Sequence, residues 1–356
     1  MLVILLFAAM LGLGGCWGSQ APGNGQTRIP KAQQPSGEQQ QQNDMGDYEN
    51  ATLTASDIQS LMDAMGEQDG RYWVQIPAMN RLVEHGDEPA VVQALRAEFQ
   101  GDNDQARLLA AHALFLLDDA AEERLEYLLK TVESANEAEK GLFRWTFGVI
   151  LLDNPEEEHI VRITQSLDSE SAYARRMALR ALTYSAEHPY VLQAMLDAAQ
   201  DDEPCVRGTA AAVLGAQWRE ESLVQDPRIM HALVGLLADE DAVVRSCAAA
   251  ALQWHGPTLE SLHALLQATR DEDAEVRAQA VDSLGYMAVQ REDVLEALMR
   301  ALDDSDEHVK WRAVQALGTL GPFAAEALPT IHGFLDSEIG CLRSAAKEAI
   351  AAIEGN

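Results

Sequence analysis

The stretch DEDAVVRSCAAAALQ at residues 239–253 decides the fold. It returns as DEDAEVRAQAVDSLG at 271–285 and as DSDEHVKWRAVQALG at 304–318. Each copy opens on an acidic turn and continues to a basic residue. Ala stands three residues after that residue and Leu seven after it. With the basic residue as pivot, the frame runs through Gln75, Arg107, Lys140, Arg175, Arg207, Arg245, Arg277, Lys310 and Arg343, spaced 32 to 38 residues apart. Three residues on stand Ala78, Ala110, Phe143, Ala178, Ala210, Ala248, Ala280, Ala313 and Ala346. Seven on stand Leu82, Leu114, Phe147, Leu182, Leu214, Leu252, Leu284, Leu317 and Ile350. Self-similarity at such a period marks a stack of supersecondary units that bury their apolar faces against one another.

Positions three, six and seven after the pivot share one helix face. Ala at the third lets a neighbouring helix come close, and the residue at the seventh fills the seam. A second apolar segment precedes each turn, as in IMHALVGLLA (229–238), LESLHALLQAT (259–269) and VLEALMRAL (294–302). Each unit therefore reads as helix, acidic turn, helix, with a turn Asp capping the second helix. The recurring basic residues Arg107, Arg175, Arg207, Arg245, Arg277, Lys310 and Arg343 read as structural, bonding turn carboxylates of their own or the next repeat in a ladder.

This pattern resembles the HEAT repeat family, in the short form found in bacterial HEAT-like proteins and phycobilisome lyases. The resemblance covers Thr54 to Glu354. It implies an all-α solenoid of about nine repeats over residues 54–356, with the second helices lining a concave surface. The helix around Ser56–Met65 reads as an N-terminal cap. The longest spacing, from Arg207 to Arg245, predicts an insertion or bend around Trp218–Pro227.

Residues 1–15, MLVILLFAAMLGLGG, are apolar or Gly throughout. The run is short of the roughly 20 residues a spanning helix needs and suits the core of a secretory signal. Its end, Leu13-Gly14-Gly15-Cys16, resembles the lipobox of bacterial lipoproteins, although no Lys or Arg precedes the apolar run. The resemblance implies acylation of Cys16, a membrane anchor and residence in the bacterial cell envelope. Residues 16–53 are rich in Gln, Gly and Pro and read as a disordered tether, spanning roughly 35 Å as a flexible coil.

The 356 residues carry 26 basic and 57 acidic side chains, a net charge of −31. Such a chain repels phosphate backbones, which argues against nucleic-acid binding. None of the nine His is followed by Glu, so the His-Glu dipeptides with which HEAT-like deoxyhypusine hydroxylases hold two irons are missing. HExxH, Walker and GxGxxG patterns are missing too. The expectation is no enzyme, no metal and no cofactor. Cys205, Cys247 and Cys341 lack CxxC spacing and read as shielded core thiols.

One, five and nine residues after the pivots lies the predicted concave stripe. It carries Trp145, Arg176, Arg180, Tyr184, Trp254, Tyr286 and Trp311, with Gly208, Ala212, Ser246 and Ala250 as a bare floor between them. Aromatic and Arg anchors are the types enriched at binding hot spots. The reading is a lipid-anchored scaffold or adaptor whose groove takes other proteins through an acidic or extended segment. An enzyme or enzyme accessory with a small-molecule site in the groove, or a structural spacer in an envelope assembly, is the alternative.

Overall fold

The computed structural model describes residues 53–66, 72–117, 120–136, 139, 140, 142, 143, 156–219, 223 and 226–355. Cys16 and the tether up to residue 52 lie outside them, as does Trp145. Among the described residues there are seventeen α-helices and no strands. They fall into two compact units that divide between Thr146 and Phe147.

The first unit holds α1 (Ala55–Met65), α2 (Tyr72–Glu84), α3 (Pro89–Phe99), α4 (Asp104–Leu116) and α5 (Ala121–Glu133). The predicted cap helix is α1, started by a capping box between Thr54 and Asp57. At the first pivot, Gln75 is fully buried and donates from Nε2 to the Met65 carbonyl at 3.1 Å. Asn103 caps α4 and reaches back to the Gly66 carbonyl at 2.8 Å.

The second unit holds α6 (Glu157–Gln165), α7 (Ala172–Ala181), α8 (Pro189–Ala198), α9 (Pro204–Gly215), α10 (Pro227–Leu236), α11 (Ala242–Leu252), α12 (Leu259–Ala268), α13 (Ala274–Met287), α14 (Glu292–Ala301), α15 (Glu307–Thr319), α16 (Leu328–Gly333) and α17 (Gly340–Glu354). The Ala and Phe column three residues after the pivots is buried in all nine repeats. The column seven residues after is buried at Leu82, Leu114, Leu182, Leu214, Leu252, Leu284 and Leu317. Ile350 is only half-buried. In the column four residues after the pivot, Leu179, Ala211, Ala249, Val281 and Val314 are buried, whereas α17 has exposed Lys347.

The turns divide the work between two acids. The first Asp takes the Arg of the preceding repeat. Arg175 grips Asp201 (Nε–Oδ2 2.7 Å, Nη2–Oδ1 2.8 Å), and Arg207 grips Asp239 in the same way. Arg245 holds Asp271 and Arg277 holds Asp304, again bidentate at 2.8 Å. The remaining Nη1 of each Arg donates to carbonyls of its own turn, such as Asp271 and Glu272 for Arg277. The second Asp caps the second helix: Asp241, Asp273 and Asp306 accept from the first N–H groups of α11, α13 and α15. Burial pushes the pKa of Asp201, Asp239 and Asp271 up, but the Arg fork and a turn N–H outweigh it and hold these carboxyls below their usual range.

Arg107, Lys310 and Arg343 make no such rung. Arg107 reaches Asp104, three residues earlier in sequence, and lies over the Tyr127 ring, and Lys310 reaches Glu307. Arg343 bonds the Ser337 carbonyl of its own turn. For the first two the reason is the acceptor. The residue six before the next pivot is Asp in all four complete rungs, but Ser134 after Arg107 and Ser337 after Lys310. Ser337 Oγ still accepts from the Ile339 N–H, as the Asp side chains do from their turns, but a hydroxyl cannot receive a guanidinium fork. The predicted insertion near Trp218–Pro227 lengthens the Arg207–Asp239 separation to 32 residues against 26 in neighbouring rungs, yet the rung keeps its geometry.

The closest helix approach is one step along from the predicted column. A Cβ on Gly215 would lie 2.6 Å from Ala251 Cβ, and one on Gly285 only 2.5 Å from Ala316 Cβ. Gly eight residues after one pivot thus meets Ala six residues after the next, backbone against backbone. A second ladder crosses the opposite ends of these helices. Gln217 donates to the Thr183 carbonyl (2.7 Å), His255 Nε2 to Leu214 (3.0 Å), Ser283 to Ala249 (2.8 Å) and Thr319 to Gly285 (2.8 Å). These bonds satisfy carbonyls that helix ends leave without partners. Successive second helices pack along their length while successive first helices barely touch. The second helices therefore lie on the inner side of this unit.

Of the three cysteines read as shielded core thiols, Cys247 is buried. Cys205 and Cys341 are exposed and free. They stand two residues before their pivots, in the same column as exposed Val243 and His308, which faces solvent.

Two predictions follow from these contacts. Asp271→Ala leaves Arg245 sunk without its carboxylate and lowers stability by about 3 kcal/mol in chemical denaturation. Conversely, Lys310→Arg combined with Ser337→Asp builds a fifth rung, and the pair stabilises by about 1 kcal/mol more than the two single changes together. The other prediction concerns His112 on α4, fully buried with neither ring nitrogen hydrogen-bonded. Burial pushes its pKa down to about 4, so the unfolded chain takes the proton first. The stability tied to its neutral form is complete above about pH 6.5 and fades as the pH falls toward 4, by about 3 kcal/mol. His112→Leu flattens that part of the stability–pH curve.

Candidate functional site

The inner face of the second unit is built by α7, α9, α11, α13, α15 and α17. Their pivots point into the turns, so residues one, five and nine positions later face the other way along the helix surface. The structure places the predicted stripe there, with differences in detail. Arg176 is half-buried and donates from Nε to Thr209 Oγ1 of the next repeat at 3.4 Å. Arg180 is half-buried one turn later. Tyr184 ends the short 3-10 turn after α7, and its side chain lies outside the described residues. Gly208 and Ser246 are buried, while Ala212 and Ala250 are half-buried, so the predicted floor of small side chains is present.

Trp254 and Tyr286 come from adjacent repeats at the same register, nine residues after their pivots. Their rings meet with centroids 4.9 Å apart and planes 59° apart. Tyr286 is 58% exposed, the largest exposure of any aromatic on the described inner face. Beside it in sequence, Gly285 sits flush against Ala316 of the next repeat.

Trp311 is not a lone anchor. His308 stacks on it at 5.5 Å with planes 21° apart, and the Arg312 guanidinium lies 4.7 Å over its ring. Arg312 also donates to Asp282 of the preceding repeat at 3.0 Å and to His308 Nε2 at 3.3 Å. His308 Nδ1 stands 3.5 Å from Glu275, whose other oxygen accepts from Gln279 at 3.0 Å. The sequence reading missed this network because it followed one stripe. The residues two before and two after the pivot, His308 with Glu275 and Arg312, flank that stripe and complete the surface.

Among the described residues, no three His, Cys, Asp or Glu side chains gather where a metal ion could be held. No described helix is long and apolar enough to cross a membrane. What this surface offers is shape, two aromatic clusters and charges of both signs, all on rigid helices.

The model of HEAT repeats matches residues 160–253 and 262–351, more than half of the chain, and the protein belongs to that family. Several solved structures share the architecture. Kap121p bound to Pho4p is similar over 84% of this chain and 42% of its own, at 16% identity and a TM-score of 0.50. An engineered protein is similar over 85% of this chain and 92% of its own, at 19% identity and a TM-score of 0.44. A designed armadillo repeat protein in complex with the peptide (KR)4 is similar over 55% of this chain and 99% of its own, at 20% identity and a TM-score of 0.43. No curated protein matches the chain by sequence.

Proposed function

We propose that this HEAT-repeat protein is a binding platform for other proteins, held at a bacterial envelope membrane by an acylated Cys16, and that partners lie along the inner face of its second unit. The observation that carries the reading is the Trp254–Tyr286 pair, rings in contact and Tyr286 largely open, on an inner face otherwise floored by Gly, Ala and Ser. A rigid aromatic beside small residues gives a partner side chain both a wall and a seat, and ordering it costs little because the ring is already fixed. Arg176 and Arg180 supply positive charge at one end of the face, in a chain with a net charge of −31, and suit an acidic residue of the partner. Kap121p, a solved structure of similar fold, is bound to Pho4p.

The apolar run before Cys16 and the Gln-rich stretch after it support the anchor and tether. Two or more acyl chains on one residue make attachment stable where one alone does not.

Crosslinking in native envelopes, followed by capture of the protein, tests the site. Trp254→Ala with Tyr286→Ala, still helical by circular dichroism, recovers at least about tenfold less of the partner than the wild type does. Equal recovery from both removes the inner face as the site. Separately, Cys16→Ser moves the protein from the membrane pellet to the soluble fraction and abolishes labelling by a radioactive fatty acid. Unchanged labelling refutes the anchor.

A further inference from the structure

His308 joins Arg312, Glu275 and Trp311 on the inner face. Its Nε2 accepts a hydrogen bond from Arg312 Nε at 3.3 Å. A guanidinium N–H can only donate, so that nitrogen carries no proton, and the neutral ring bears its hydrogen on Nδ1. Nδ1 faces Glu275 at 3.5 Å. The ring is therefore fixed as one tautomer, with a donor on one side and an acceptor on the other, and lies nearly parallel to Trp311.

Arg312 depends on this tautomer. Three contacts hold it in place: His308 Nε2, Asp282 Oδ1 at 3.0 Å, and the Trp311 ring at 4.7 Å. In that position it covers one face of the indole and occupies the Asp282 carboxylate, one turn before Tyr286 on α13. A proton on Nε2 would turn the acceptor into a donor aimed at another donor, and would set two positive groups at hydrogen-bond distance. Glu275, meanwhile, would gain a charge-assisted bond from Nδ1 and keep the imidazolium in place. The imidazole stays; the guanidinium leaves.

We propose that His308 is a proton-operated latch on the inner face: its protonation releases Arg312, uncovering Trp311 and freeing Asp282 for a partner. The charged and titratable groups around it are Glu275 and Asp282 from α13 and Arg312 and Glu307 from α15. Glu307 is occupied by Lys310 on the turn side. From α17 the same two columns bring Cys341 and Ala345, which add no fixed charge. Imidazole is the side chain whose ordinary titration falls between pH 5 and 8, so an envelope exposed to the outside medium supplies the signal. The inference extends the reading of this face as a partner site and names a way it is regulated.

The test needs no partner. In ¹H–¹⁵N spectra of the whole protein, the Trp311 indole and Arg312 Nε–H resonances are followed from pH 7.5 to 5.0 alongside His308 Cε1–H, with Trp311→Phe and Arg312→Lys to assign them. On acidification the Arg312 Nε–H and Trp311 indole resonances both shift with the His308 midpoint. In His308→Gln neither resonance shifts with pH. The latch is refuted if Arg312 and Trp311 stay constant through the titration of His308, or move equally in His308→Gln. Because the free protein is observed, a missing partner in the capture experiment and a failed latch are separate results.

Discussion

The rung between a pivot Arg and the next turn's Asp organises the second unit. One guanidinium does three things in each repeat: it ties its own turn through Nη1, reaches the neighbouring turn through Nε and Nη2, and neutralises an acid that would otherwise be sunk beside others. The Asp in turn shapes its own loop by accepting from the N–H two residues on, as Asp239 does from Asp241. Each turn is thus both the receiver of one rung and the start of the next. Four such rungs in series hold repeats at one spacing, and the helix faces can then close to backbone contact at Gly215 and Gly285. Without a fixed register there, Gly would only add flexibility. With it, Gly makes the tightest seam in the stack.

That coupling explains how a chain with a net charge of −31 keeps its acids close together. The turn sequence Asp-Glu-Asp would repel itself in isolation. In the array the first Asp is neutralised from the previous repeat, the last is spent on capping backbone N–H groups, and the middle acid points to solvent, where Glu240 and Glu272 are almost fully exposed. Charge is sorted by depth. The solvent-facing acids carry solubility at little cost to stability, since water screens them.

The ladder was legible in the sequence because it repeats. A side chain that performs the same task in each repeat leaves a column, and the columns gave the helices, the caps and the Arg pairing before any geometry was known. Reading one column further would have shown which pivots fail: Lys310 is followed by Ser337 and Arg107 by Ser134, where Asp follows Arg175, Arg207, Arg245 and Arg277. The second ladder was not legible. Gln217, His255, Ser283 and Thr319 do one job with four residue types at shifting offsets, because a carbonyl accepts from any donor that reaches it. The burial of His112 was equally invisible, since the same position in other repeats holds Arg180, Ala212, Asp282 and Gln315, all half-buried.

Function sits where the columns break. Across the six second helices of this unit, the position two after the pivot holds Met177, Thr209, Cys247, Gln279, Arg312 and Ala345, with no recurring type. Met177, Cys247 and Ala345 are buried there, whereas Thr209, Gln279 and Arg312 are half-buried and reach the surface. Aromatic side chains show the same contrast. Phe143 is buried in a column that all repeats share, whereas Tyr286 stands open in a column whose other members include Trp254 and Thr319. A packing role would be repeated, because every repeat has the same gap to fill. The Trp254–Tyr286 contact and the Trp311–Arg312–His308 network each occur once, at neighbouring places on one rigid face. Their singularity, on a scaffold made of copies, is the physical reason to look for a partner there.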